Sequence, residues 1–97
     1  MWILEAGKDA ADQATFRIQP GSVKTIGRSP GAEFILDAPL VSRLHCQLSA
    51  GDDAIAVKDL DSTNGTFVNG KRVQAGTLRD GDLLKVGRVE LRVTRRA

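Results

Sequence analysis

One cysteine, one histidine and no tyrosine stand in a chain of 97 residues, and each shortage closes a route to function. A lone Cys46 cannot build an intramolecular disulfide framework. Within the apolar-rich stretch Leu44–Leu48 it reads as a small core residue. His45 and Cys46 are adjacent, so a strand sends them to opposite faces, and two such groups do not make a four-ligand metal site. No metal and no other cofactor is expected. The only aromatic residues are Trp2, Phe16, Phe34 and Phe67, all in apparent core strands, which leaves little stacking surface for single-stranded nucleic acid. No apolar run approaches the ~18–20 residues that span a bilayer. Glu5, Lys8 and Asp9 interrupt the start of the chain, unlike a secretory signal. A cytoplasmic protein without membrane attachment is expected.

What is present is ordinary for a globular domain: 41% hydrophobic and 27% charged residues. The length fits one domain over residues 1–97, with a core from about 2 to 93. The net charge is +2, with Lys71, Arg72, Arg79, Lys85, Arg88, Arg92, Arg95 and Arg96 gathered in the last part of the chain. That clustering admits two readings, a solvated strand face or a surface for anionic partners.

Short apolar or alternating runs follow one another, broken by turn residues. They are Trp2–Leu4, Phe16–Ile18, Val23–Ile26, Phe34–Leu36, Leu44–Leu48, Ile55–Val57, Thr66–Val68, Lys71–Val73, Leu83–Val86 and Val89–Val93. Lys8–Gln13 reads as a polar hairpin connection, Pro20-Gly21 and Gly51–Asp53 as turns. Asn69-Gly70 is a strong two-residue hairpin signal, because both turn positions want positive φ. No segment holds a helical period. Short strands at roughly 8–12-residue spacing argue for an all-β sandwich or barrel.

Catalysis finds little support. Ser42 and His45 invite a nucleophile and base reading, but an odd separation on one strand points them apart, and no third group is specified. Walker-type and dinucleotide loops are missing, since both need a glycine loop opening a helix. A chain without enzymatic activity is expected, with no catalytic residues.

Three polar loops carry more. Gly27-Arg28-Ser29-Pro30-Gly31 follows one strand, Val41-Ser42-Arg43-Leu44-His45 precedes another, and Asp59–Thr66 links two more. If they meet at one end of a sandwich, two guanidiniums, several hydroxyls and an amide converge, a set suited to a dianionic phosphate. Each loop alone is ordinary turn chemistry. Together and in order they resemble the forkhead-associated (FHA) family. The residues that carry the likeness are Gly27-Arg28, Ser42-Arg43-x-His45, Asp59-x-x-Ser62-x-Asn64-Gly65-Thr66 and Val68-Asn69-Gly70. Asp80-Gly81-Asp82-x-Leu84-x-Val86-Gly87 matches the family's closing pattern, so the likeness runs from about Trp2 to Val93.

The resemblance implies an eleven-stranded β-sandwich of two twisted sheets with binding loops at one end. It implies a module that recognises phosphothreonine in partner proteins phosphorylated by a Ser/Thr kinase, in a signalling or scaffold role. A monomer is expected for the isolated domain. By the same resemblance, Arg28, Ser42, Arg43 and Thr63 hold phosphate and Asn64 holds the peptide backbone. Gly27, His45, Gly65, Asn69 and Gly70 shape the loops. Pro39, Leu40 and Val41 contact side chains beyond the phosphothreonine, with an apolar preference. Asp61 reads as a turn former, or as a carboxylate that weakens phosphate binding or selects a basic ligand residue. Arg88 inherits no ligand role. Two alternatives stand beside this reading: the same fold used for assembly without phosphate, and a basic β-domain for nucleic acid, not expected given the aromatics.

Overall fold

A computed structural model describes residues 1–7 and 13–97, so most of the expected Lys8–Gln13 connection lies outside the described residues. Eleven strands and no helix are found among them. In chain order they are β1 (Trp2–Ala6), β2 (Thr15–Ile18), β3 (Val23–Gly27), β4 (Phe34–Ile35), β5 (Cys46–Ala50), β6 (Ile55–Asp59), β7 (Thr66–Val68), β8 (Lys71–Val73), β9 (Ala75–Leu78), β10 (Leu83–Val86) and β11 (Val89–Arg95). One sheet has six strands in the order β2-β1-β11-β10-β7-β8, the other five in the order β4-β3-β5-β6-β9. Every pairing is antiparallel except β3 with β4.

Alternation explains the strands. In β6, Ile55, Val57 and Asp59 are buried while Ala56 and Lys58 are exposed. In β11, Val89, Leu91 and Val93 are buried and Glu90 and Arg92 exposed. A period of two buries one face of each strand, and the two inner faces meet in one core. Its largest members include Trp2, Leu4, Ile26, Leu48, Ile55, Leu84 and Leu91. Trp2 is fully buried, and its Nε1–H donates to the Gly51 carbonyl at 2.8 Å. Without that acceptor the indole's burial would carry the penalty of an unpaired donor. Phe16 of β2 and Phe34 of β4 stack with centroids 4.7 Å apart, linking edge strands of the two sheets.

Three readings need correction. The strand β9 was not legible, because Ala75-Gly76-Thr77-Leu78 has weak β-propensity. It forms by pairing with β6, and a Cβ on Gly76 would sit 3.3 Å from the Val68 side chain, so glycine suits the close approach of the sheets there. Phe67 is not a core residue. Thr66 and Val68 point inward, so Phe67 lies on the outer face, with Lys85 Nζ 5.1 Å from its ring centroid. Finally, β5 begins at Cys46, and Leu44 is 48% exposed rather than part of a buried strand.

Candidate functional site

The loops after β3, before β5 and after β6 are bound to one another by backbone groups. At Gly27 a Cβ would overlap the Arg43 carbonyl oxygen and lie 2.7 Å from its carbon. Only glycine lets the segment before β5 cross so closely. The crossing is stitched by Arg28 N–H donating to Ser42 O (2.9 Å), Ser29 N–H to Arg43 O (3.1 Å) and His45 N–H to Ile26 O (2.8 Å).

His45 is fully buried and joins two of these loops. Its Nδ1 accepts the Ser42 N–H at 3.0 Å, and its Nε2 lies 2.8 Å from the Gly65 carbonyl. A carbonyl only accepts, so Nε2 carries the proton and Nδ1 does not. Ser42 Oγ in turn accepts the Thr63 N–H at 3.2 Å. The serine hydroxyl is therefore directed to the β6–β7 loop, and both imidazole nitrogens serve backbone groups. A nucleophile-base pair is not what this geometry builds.

Asp59, at the end of β6, organises the loop that follows. Its buried carboxylate accepts Ser62 Oγ–H at 2.5 Å, Thr66 Oγ1–H at 2.6 Å and Ser62 N–H at 3.1 Å. Ser62 Oγ then accepts the Gly65 N–H at 3.0 Å. Burial pushes this carboxyl's pKa up, but the hydrogen bonds from Ser62 and Thr66 outweigh it and hold it below its ordinary value. The same loop turns through Asp61 at φ 56° and Gly65 at φ 94°. Asp61 thus takes the left-handed geometry that Asp tolerates in turns. Beside this network, burial and the Asp59 charge push the Cys46 thiol up to about 12, so it stays a protonated core group.

The loops enclose an open cleft of about 560 Å³. Arg28, Ser42, Arg43, Thr63 and Asn64 all line it. Leu40, Val41 and Leu44 supply apolar lining, and Asp61 supplies the one lining carboxylate. Among the described residues neither Arg28 nor Arg43 has an ion-pair partner, and both are exposed. Two unpaired guanidiniums against one carboxylate leave the cleft electropositive, with Arg forks available to an anion. Asn64 Nδ2–H donates to the Leu40 carbonyl at 3.1 Å. Leu40 itself holds a left-handed φ of 72°, uncommon for a branched residue. Its carbonyl abuts Gly87, where a Cβ would lie 2.6 Å from the oxygen.

Not every residue singled out in the sequence comes to the cleft. Asn69 and Gly70, at φ 50° and 83°, form the β7–β8 hairpin turn at the far end of β7 from Thr66. Asn69 ties that turn to β10, accepting from Leu83 N–H at 2.9 Å and donating to Asp82 at 3.1 Å. Pro39 is exposed and does not line the cleft. Val41 lines it but is 3% exposed and belongs to the core. Leu44 and Gly87 were not read as site residues. The signal for Gly87 was its place after a buried valine in a two-residue turn, and for Leu44 its place one residue before the start of β5.

The family model described as FHA domain matches residues 24–87. An ABC transporter ATP-binding/permease protein of Mycobacterium tuberculosis is 39% identical over 91 residues, which are 94% of this chain and 10% of the transporter. The chain spans only part of the length of its curated relatives, 10% of this transporter, 16% of the FHA domain-containing protein FhaA of the same organism and 47% of an oxoglutarate dehydrogenase inhibitor of Corynebacterium diphtheriae. The crystal structure of the FHA domain of CT664 protein from Chlamydia trachomatis superposes with a TM-score of 0.89 at 25% identity, covering 99% of this chain and 98% of that one. A structure solved for phosphothreonine-dependent FHA domain interactions superposes with a TM-score of 0.85 at 33% identity, covering 99% of this chain and 97% of that one. The match over residues 24–87, joined to an eleven-strand sandwich of the same shape, makes this chain a member of the FHA domain family.

Proposed function

We propose that the cleft binds a phosphothreonine-containing segment of a partner protein, as a non-catalytic recognition module in the cytoplasm. The observation that carries the reading is the convergence of Arg28, Ser42, Arg43, Thr63 and Asn64 on one electropositive cleft, whose arginines have no ion-pair partner among the described residues. Arg28 and Arg43 offer charge-assisted donors to the phosphate oxygens. Ser42 accepts from Thr63 N–H and so keeps its own hydroxyl proton for a phosphate oxygen. Thr63 adds its hydroxyl, and Asn64 retains Oδ1 for the ligand backbone. A 33% identical domain engaged in phosphothreonine-dependent interactions supports the assignment. The described residues also contain no helix long and apolar enough to cross a membrane.

Hydrogen bonds to charged groups contribute about 1.5–3 kcal/mol each. Three or four, less the cost of ordering an extended peptide, correspond to a roughly micromolar dissociation constant. Leu40 and Leu44, 40% and 48% exposed on the cleft, favour apolar ligand side chains beside the phosphothreonine. The γ-methyl of threonine adds roughly 0.8 kcal/mol over serine where it is buried. The test is capture from degenerate peptide libraries with a fixed phosphothreonine, phosphoserine or unphosphorylated threonine. Enrichment of the phosphothreonine set supports the reading, while equal or no capture of all three leaves an FHA fold used for assembly.

A further inference from the structure

The turn between β10 and β11 is part of the same end of the molecule. Its Gly87, at φ 61°, is wedged against the Leu40 carbonyl, and its N–H reaches the Gly65 carbonyl at 3.4 Å. Arg88 is the next residue, so ~3.8 Å of backbone separates its Cα from that of Gly87. It is exposed and has no hydrogen bond or ion pair among the described residues.

A second arginine approaches from β8. A Cβ on Gly65 would lie 2.9 Å from Arg72 Nε and 3.1 Å from its Cζ, so the guanidinium rests against the Gly65 backbone. Arg72 is also exposed and has no ion-pair partner among the described residues. Gly65 follows Asn64 directly and is the point where the β6–β7 loop, β8 and the β10–β11 turn meet. The Arg72 guanidinium and the backbone of the Gly87-Arg88 turn thus both come to Gly65, the residue that follows the cleft's Asn64. Arg72 and Arg88 are separate from Arg28 and Arg43, which line the cleft itself.

We infer that Arg72 and Arg88 select an anionic side chain in the bound peptide, a few residues away from the phosphothreonine. This rests on the reading of the cleft as a phosphothreonine site. The chemistry is planar forked donors meeting a carboxylate or a second phosphate at an exposed rim. A ligand held by its phosphothreonine at Arg28 and Arg43 and by its backbone at Asn64 would come within reach of Gly65, on which the Arg72 guanidinium rests and beside which the turn bearing Arg88 lies. The cost of bringing the second anion to them is already covered by the first contact.

The experiment titrates a library-selected phosphothreonine peptide with neutral flanks against the wild-type chain, Arg72→Gln, Arg88→Gln and the double variant. The same peptide is then scanned with Glu, and separately with a second phosphorylated residue, over about four positions on each side. At one or two positions the added anion should tighten wild-type binding about fivefold, the upper end for an exposed pair. The gain should disappear in the double variant and shrink as salt rises. Binding of the neutral-flank peptide should be the same in all four proteins, whose thermal unfolding should also agree because both residues are exposed. A gain with Glu identifies a carboxylate as the ligand, and a gain only with the second phosphate identifies a doubly phosphorylated segment. Neutral-flank binding with no anion gain, or a gain that survives in the double variant, overturns the inference and leaves the phosphothreonine reading intact. No binding of any phosphothreonine peptide by wild type overturns both.

Discussion

Replacing Asp59 by Asn keeps the shape of the side chain and removes its charge and one acceptor. The carboxylate takes three hydrogen bonds: Ser62 Oγ–H and Thr66 Oγ1–H on one oxygen and Ser62 N–H on the other. If the amide oxygen keeps the two hydroxyls, the NH2 group faces the Ser62 N–H, donor against donor. An unsatisfied buried donor costs about 1–3 kcal/mol. The two remaining bonds lose their charge assistance, roughly half their strength, or about 1 kcal/mol each. The sum is about 3–5 kcal/mol, a large share of the ~5–15 kcal/mol that holds a domain folded. The loop from Asp59 to Thr66 carries Thr63 and Asn64, so peptide affinity should fall with it. Urea unfolding of wild type, Asp59→Asn and the exposed control Asp61→Asn gives the free energies, and peptide titration gives the affinities.

The pH dependence sharpens the test. The folded pKa of Asp59 is depressed below its ordinary 3.8. Its contribution is therefore fully present above that value and lost as pH falls through the folded pKa. The gap between wild type and Asp59→Asn should be constant at neutral pH and narrow only in strongly acidic buffer. Asp59→Asn within about 0.5 kcal/mol of wild type, the range of ordinary surface changes, would refute the reasoning.

Other expectations follow from the same geometry. Arg28→Ala should weaken phosphothreonine-peptide binding about tenfold or more with unchanged unfolding, since one charge-assisted bond corresponds to about that factor; wild-type affinity by calorimetry would contradict the role given to it. Gly27→Ala should cost both stability and binding, because the added Cβ meets the Arg43 backbone rather than a movable side chain. Thermal unfolding reads the first loss and peptide titration the second. Affinity should weaken as pH falls below the phosphate's second pKa of about 6, and equal titrations at pH 7.5 and 5 would argue against recognition of the dianion.

Much of this was legible in the sequence because the residues that shape the loops are those whose chemistry is least replaceable. Gly27 sits where a Cβ has no room, and Asn69-Gly70 takes the two positive φ values that its turn demands. Alternation exposed β6 and β11 directly. What stayed hidden depended on partners distant in the chain. β9 has little propensity and exists through its pairing with β6. Phe67 reads as core by type, yet its register opposite Lys85 and Arg72 sets it outside. Asn69 and Gly70 read as loop-shaping residues, and the strand β7 carries their turn to the end away from the cleft. The arrival of Gly87 at Leu40, and with it Arg88 at the rim, is likewise a tertiary event with no local signal.

The central claim is most directly tested by amide chemical shifts of the isotopically labelled chain titrated with one phosphothreonine peptide and its unphosphorylated twin. Perturbations concentrated at Arg28, Ser42, Arg43, Thr63 and Asn64, and absent with the twin, are the predicted result. Equal shifts with both peptides, or shifts lying away from this cleft, would contradict it.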